Sequence, residues 1–240
     1  MRYLLIFMLL VAIFVVGKRS CFHMNFGSGV EGEGPVLTET RDVDGFDAID
    51  LSIAGDVEVS IGDYRVEVRA QENLLPLLQT EVKEGTLRID FEESVSYREQ
   101  IKLYITVPSL EALELSGSGS IKLVTPIESD KMDIHIGGSG EVDIPNATFT
   151  SLECSVSGSG DINLGGSVGD AEINVSGSGE VNAKNMVFNR LEASISGSGS
   201  VYAHVNETLD VSVSGSGDMY YSGDPVVEKH VSGSGSVSKR

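Results

Sequence analysis

The tetrapeptide Ser-Gly-Ser-Gly begins at Ser116, Ser157, Ser176, Ser196, Ser214 and Ser232, and Gly137-Gly138-Ser139-Gly140 is a variant of it. The period is about 20 residues, within the range of stacked-repeat architectures. The flanks repeat with the motif. Before it stand Leu113-Glu114-Leu115, Ile134-His135-Ile136, Cys154-Ser155-Val156, Ile173-Asn174-Val175, Ala193-Ser194-Ile195 and Val211-Ser212-Val213. After it stand Ile121-Lys122-Leu123, Val142-Asp143-Ile144, Ile162-Asn163-Leu164, Val181-Asn182-Ala183, Val201-Tyr202-Ala203 and Met219-Tyr220-Tyr221. Both flanks alternate apolar and polar residues, the period-2 signature of strands with one buried face. A flexible Gly-Ser linker has no reason to keep β-branched residues in phase with its glycines. Each unit therefore reads as strand, Gly-rich bend, strand and a variable stretch, with the bend glycines expected to supply positive φ.

A strand pair with one apolar face is not stable alone in water. Stacking equivalent rungs at the usual strand spacing of ~4.8 Å solves this, because the inward residues then merge into one core. The expected fold is all-β, a parallel β-helix (β-solenoid) of about 20-residue rungs. An antiparallel sandwich or barrel of adjacent hairpins is the alternative. In the solenoid, Leu115, Ile136, Val156, Val175, Ile195, Val213 and Val231 form one inward ladder. Cys154 alternates with Leu152 and Val156, so it reads as a small buried hydrophobe rather than half of a disulfide.

Residues 36–110 are less regular. Strands are expected at Ala48–Ser52, Val57–Ile61, Arg65–Val68, Thr86–Phe91 and Ile101–Val107, with one short helix over Asn73–Gln79. Ser52-Ile53-Ala54-Gly55-Asp56 resembles a degenerate copy of the motif. The solenoid is thus expected to begin early, as one domain over 36–240 whose first part, 36–110, supplies the opening coils and a cap, and whose regular repeats fill 111–240. Residues 22–35 are rich in Gly and Glu and read as a flexible tether.

The chain opens with an export signal over 1–21. Arg2 gives a positive n-region, and the apolar run Tyr3–Val16 is short for a bilayer, which takes roughly 20 residues. Cys21 stands where a lipid-modified cysteine would, although Lys18 and Arg19 depart from the small and aliphatic residues expected before it. Lipidation at Cys21, simple secretion and an uncleaved anchor all stay open. The net charge of -19 disfavours nucleic acid and anionic membrane surfaces as partners. Membrane contact is expected only through the N-terminal segment. The 40% hydrophobic content argues against disorder. The absence of Trp and the 6% aromatic share argue against a broad stacking platform.

Val43-Asp44-Gly45-Phe46-Asp47-Ala48-Ile49 is followed by Gly55-Asp56-Val57, Glu72-Asn73-Leu74-Leu75, Gly85-Thr86-Leu87, Val107-Pro108-Ser109-Leu110, Leu113 and the serial Gly-Ser-Gly motifs. In this order they resemble the bacterial family described as putative auto-transporter adhesin, head GIN domain, over roughly 36–235. The resemblance implies a right-handed β-helix in an envelope or secreted protein, often with a lipoprotein signal, and offers no catalytic residues. With no membrane-barrel segment after Arg240, a complete autotransporter is not expected.

The residue after each motif is Ser120, Glu141, Asp161, Glu180, Ser200, Asp218 and Ser236. Stacking would place Glu141, Asp161 and Glu180 in consecutive rungs. Carboxylates so close repel unless solvated or bridged by a cation, and calcium is the cation that oxygen ligands suit. The plainer reading is a solvated acidic edge. No other cofactor is indicated. His135, His204 and His230 fall in different rungs, and no Ser-His-Asp or Cys-His set is apparent. Three functions remain: a non-enzymatic surface or envelope module binding a polysaccharide or surface protein, a carbohydrate-active enzyme using the acidic ladder, and a structural spacer that self-associates. The oligomeric state is left open.

Overall fold

In the computed structural model the described residues are 29–240; the export signal, Cys21 and the first half of the expected tether lie outside them. The described chain is all-β, with no helix, and forms a β-solenoid of stacked parallel strands about 20 residues apart. The sandwich and barrel alternatives are excluded by the pairing. Ser120–Leu123, Glu141–Val156, Asp161–Val175, Glu180–Ile195 and Ser200–Gly215 each pair in parallel with the next strand of the series.

The shape of a rung follows from its burial pattern. In Glu141–Val156 the inward residues are Val142, Ile144, Ala147, Phe149, Leu152, Cys154 and Val156. The alternation breaks twice, at 145–146 and at 150–151, where two successive side chains avoid the core. Each break turns the strand, and the Ser-Gly bend makes a third corner, so the rung closes on itself with three sides. The inward ladder has the expected register: Leu115, Ile136, Val156, Val175, Ile195 and Val213 are direct neighbours and at most 2% exposed. It extends back to Leu51. Val231 is in register with Val213 but is 46% exposed, because no further rung covers it.

The motif glycines serve a different purpose from the one expected. Among them only Gly215 and Gly233 have φ in the left-handed region, at 144° and 131°. The others are required by close stacking. The first glycine of a motif lies against the backbone carbonyl of the rung before it, so a Cβ at Gly138 would overlap Gly117 O and one at Gly158 would overlap Gly138 O. The second glycine leaves room for the inward ladder: a Cβ at Gly160 would sit 2.5 Å from Ile136 Cγ2, and at Gly199 2.5 Å from Val175 Cγ1. The backbone stays satisfied through the bend, as in Ser159 N donating to Gly138 O at 3.0 Å and Ser178 N to Gly158 O at 3.0 Å.

At the N-terminal end, the order of strands in the stack departs from the order in the chain. Ala48–Leu51 and Asp56–Ile61 pair with Ala112–Leu115 and Ser120–Leu123 on one side, and with Thr86–Phe91 and Lys102–Val107 on the other. The bend between the first two, at Ile53 and Gly55, takes the place of the motif, and Ser120 N donates to Gly55 O at 2.9 Å. Beyond these rungs the pairing becomes antiparallel. Arg65–Gln71 adds to Lys102–Val107, Val36–Arg41 adds to Arg65–Gln71, and Leu78–Lys83 adds to Thr86–Phe91. The last hairpin turns through Glu84 and Gly85, both at positive φ (51° and 80°), the pattern of a two-residue hairpin loop.

The helix expected over Asn73–Gln79 is not formed. Leu75 N donates to Gln71 O and Leu78 N to Leu74 O, one helical turn only, and the chain enters strand at Leu78. Leu75 and Leu78 instead lie in the end of the core, and Leu74 is buried outside that cluster, near Gly32. Part of the stretch expected as tether is docked. Val30–Glu31 pairs with Val95–Ser96, and Glu33 N donates to Asn73 Oδ1 at 2.8 Å.

Candidate binding groove

In-register stacking turns every outward position into a column of side chains running along the solenoid. Glu141, Asp161 and Glu180 are direct neighbours in successive rungs, flanked by Ser120 and Ser200. Two of the three carboxylates engage protein donors. Glu141 Oε1 accepts from Asn163 Nδ2 at 2.8 Å, and Asp161 Oδ1 accepts from the backbone N–H of Glu180 at 3.1 Å. Farther along the same column Asp218 accepts from the hydroxyl and backbone N–H of Ser236 at 2.6 and 2.9 Å. The Ser236 hydroxyl bond is the largest cause that holds Asp218 below the ordinary aspartate value. Among the described residues, no group of three or more His, Cys, Asp or Glu side chains is arranged to hold a metal ion.

A second and longer acidic column was not anticipated. Asp133, Glu153, Glu172, Glu192, Asp210 and Glu228 are direct neighbours in six successive rungs. Each stands four residues before its glycine motif, so a simple alignment of the repeats would have shown it. Lys131 Nζ meets Asp133 at 2.7 Å, Asn174 Nδ2 donates to Glu172 at 2.7 Å, and His230 lies 3.4 Å from Glu228. Glu153, Glu192 and Asp210 have no hydrogen-bond or ion-pair partner among the described residues.

From Glu153 to Glu228 this column forms one wall of a groove of about 620 Å³. The other wall is the column Lys131, Ser151, Asp170, Arg190, Thr208 and Val226. Between the walls runs the column Leu152, Ala171, Leu191 and Leu209, one per rung, whose three leucines point into the core and are at most 3% exposed. The groove lies just past the second corner, where the outward positions 151 and 153 and their equivalents flank the inward residue between them. Its basic groups are already engaged. Arg190 clasps Asp170 with two nitrogens and reaches Glu207, which holds the Asp170 carboxyl below the usual range. Lys131 is raised above the ordinary lysine value by its hydrogen bond to Asp133.

On another side Tyr202 and Tyr220 stack at 5.0 Å between ring centres, with Lys184 Nζ 3.9 Å from Tyr202 and Arg240 3.8 Å from Tyr220. Their ring faces are taken up by one another and by the two cations, so this column is not an open stacking platform. Cys154 is fully buried at an inward position, where desolvation pushes its thiol well up.

Solved structures share this architecture. A putative adhesin from Bacteroides fragilis NCTC 9343 superposes with a TM-score of 0.82 at 26% identity, over 88% of this chain and 100% of that one. A protein described as a putative lipid binding protein, from Parabacteroides distasonis ATCC 8503, superposes with a TM-score of 0.75 at 29% identity, over 88% and 99%. The fold is also that of a putative adhesin from Parabacteroides merdae ATCC 43184, with a TM-score of 0.70 at 23% identity, over 88% and 98%. Comparison with curated proteins gives no match. The family model described as putative auto-transporter adhesin, head GIN domain, matches residues 45–225, about three quarters of the sequence, and the chain belongs to that family.

Proposed function

We propose that this protein is an exported, non-catalytic adhesin-type module that holds an extended surface polymer along the outside of its solenoid. The observation that carries this reading is the register of the outward columns. In six successive rungs a carboxylate recurs at the same place, a surface suited to a ligand that is itself a linear repeat. A rigid, fully hydrogen-bonded scaffold keeps those groups in position before the ligand arrives, which lowers the ordering cost of binding. Membership of an adhesin family supports the same reading.

Incubating the protein with a panel of envelope and host polysaccharides, and scoring both retention and the appearance of new sugar ends, tests it. Retention without new ends is the expected result. New ends that disappear when Glu153 or Glu192 is changed to glutamine would convert the reading to a hydrolytic enzyme. No retention of any polymer would leave the spacer reading in its place.

A further inference from the structure

The first corner of the solenoid carries a notch. The rung of Glu141–Val156 turns there through Pro145 and Asn146, and the rung of Glu180–Ile195 turns through Lys184 and Asn185. The rung between them turns through Gly165 and Gly166. Neither position has room for a side chain: a Cβ at Gly165 would overlap Pro145 O, and one at Gly166 would overlap Ala147 O. The strand register shifts at the same place, between Ile144 and Ala147 and between Asn163 and Gly165. Such irregularities re-aim the side chains beside them. What the two glycines leave open is a cleft of about 120 Å³, walled by Asp143, Asn163, Asn182 and Asn185.

Asp143, Asn163 and Asn182 are direct neighbours in successive rungs, and all three are half-buried. Two of them are held in place. Lys122 Nζ meets Asp143 Oδ2 at 2.8 Å, and Asn163 Nδ2 donates to Glu141 at 2.8 Å. These contacts leave Asp143 Oδ1 and Asn163 Oδ1 as acceptors for something else. Asn182 and Asn185 make no side-chain hydrogen bond among the described residues, so each offers an amide N–H₂ and an amide oxygen. Donors and acceptors set side by side suit a group that does both, which is the hydroxyl. Asp143, the one carboxylate in the wall, is neutralised by Lys122, so neither a cation nor an anion gains much by entering.

We propose that this cleft binds one residue of a neutral, hydroxyl-rich polysaccharide, with the hydroxyls of one ring edge on Asp143, Asn163, Asn182 and Asn185. This rests on the binding-module reading and names its ligand class. The cleft is well below the ~300 Å³ at which ordinary small-molecule pockets begin, so a ring edge enters and the rest of the sugar stays in water.

The test is an NMR titration of the ¹⁵N-labelled protein, read at the side-chain N–H₂ signals of Asn163, Asn182 and Asn185. The probes are neutral hexamers of mannose, glucose and galactose, with a galacturonate hexamer and a glucosamine hexamer as the charged counterparts. At least one neutral hexamer shifts all three signals, and the charged hexamers leave them in place. N182A/N185A breaks no side-chain bond within the described protein and keeps the parent's melting temperature. It weakens binding of that hexamer by roughly tenfold, the weight of two lost hydrogen bonds. E153Q/E192Q, in the groove at the second corner, leaves binding unchanged. Three neutral hexamers that move none of the signals would overturn the proposal. So would charged hexamers that move them equally, N182A/N185A binding as the parent does, or E153Q/E192Q losing as much. If a polysaccharide from the panel is retained while the three amides stay unmoved, this inference fails and the binding-module reading stands. If no polymer is retained, both fail.

Discussion

At Gly158 a single methyl group would occupy the place of a carbonyl oxygen in the adjacent rung. Neither neighbour can yield, because both belong to a hydrogen-bonded stack. Gly158→Ala should therefore lower stability by about 1–3 kcal/mol, the range for overpacked sites. Ser159→Ala, at an outward position of the same bend, should stay within about 0.5 kcal/mol. Chemical denaturation of the two variants checks this, and an unaltered midpoint for Gly158→Ala would show that the rungs can move apart. The sequence made the glycine positions plain but not their reason, since close stacking and positive φ leave the same residue. Cys154 was legible, because its alternation with Leu152 and Val156 fixed the face it occupies. The acidic column was legible too, as a carboxylate four residues before each motif from Gly137 onward.

The regular rungs could be read as elements because each carries its own period-2 pattern and its own bend. The antiparallel strands of the cap could not. Val36–Arg41 has no fully buried residue and so no alternation to read, and Leu75 and Leu78 have helical spacing because they plug a core end. The final rung, 226–239, is the opposite case. Its register places Lys229 beside the inward Val211, and Lys239 beside Tyr221. Lysines at positions that are apolar in the preceding rungs make that end a poor template for another strand, a known way of protecting an edge. Lys239 is held outward by Asp224 through an ion pair at 2.6 Å. Replacing Lys229 and Lys239 together with valine should allow end-to-end association. Sedimentation velocity should then show a concentration-dependent shift that the parent protein lacks. A variant that stays the same size as the parent would mean that something other than these charges limits stacking.

On the scale of the whole molecule, a net charge of -19 is imposed on a scaffold that lines up some of its acid in two columns. Like charges one rung apart repel, and the repulsion between exposed groups is screened by salt. The melting temperature should rise between low salt and about 0.15 M, where the Debye length has shrunk to ~8 Å. The E153Q/E192Q/D210N variant should start higher and respond less; a flat salt response in the parent would show that the columns are already neutralised. Fold class and repeat length were available from the sequence because both are local patterns. The stack order at the N-terminal end was not, since 48–61 comes to lie between 86–107 and 112–123 through pairings that no local pattern encodes.

The three-sided rung makes the length of the molecule a countable quantity. The middle rungs meet their neighbours through the same contacts, so duplication or loss of one unit of about 20 residues would leave both junctions almost unchanged. Such an event would lengthen or shorten every surface column by one step of ~4.8 Å. Members of this architecture can then act as rulers, whose reach along a polymer changes by recombination within the gene, with no need to redesign a site.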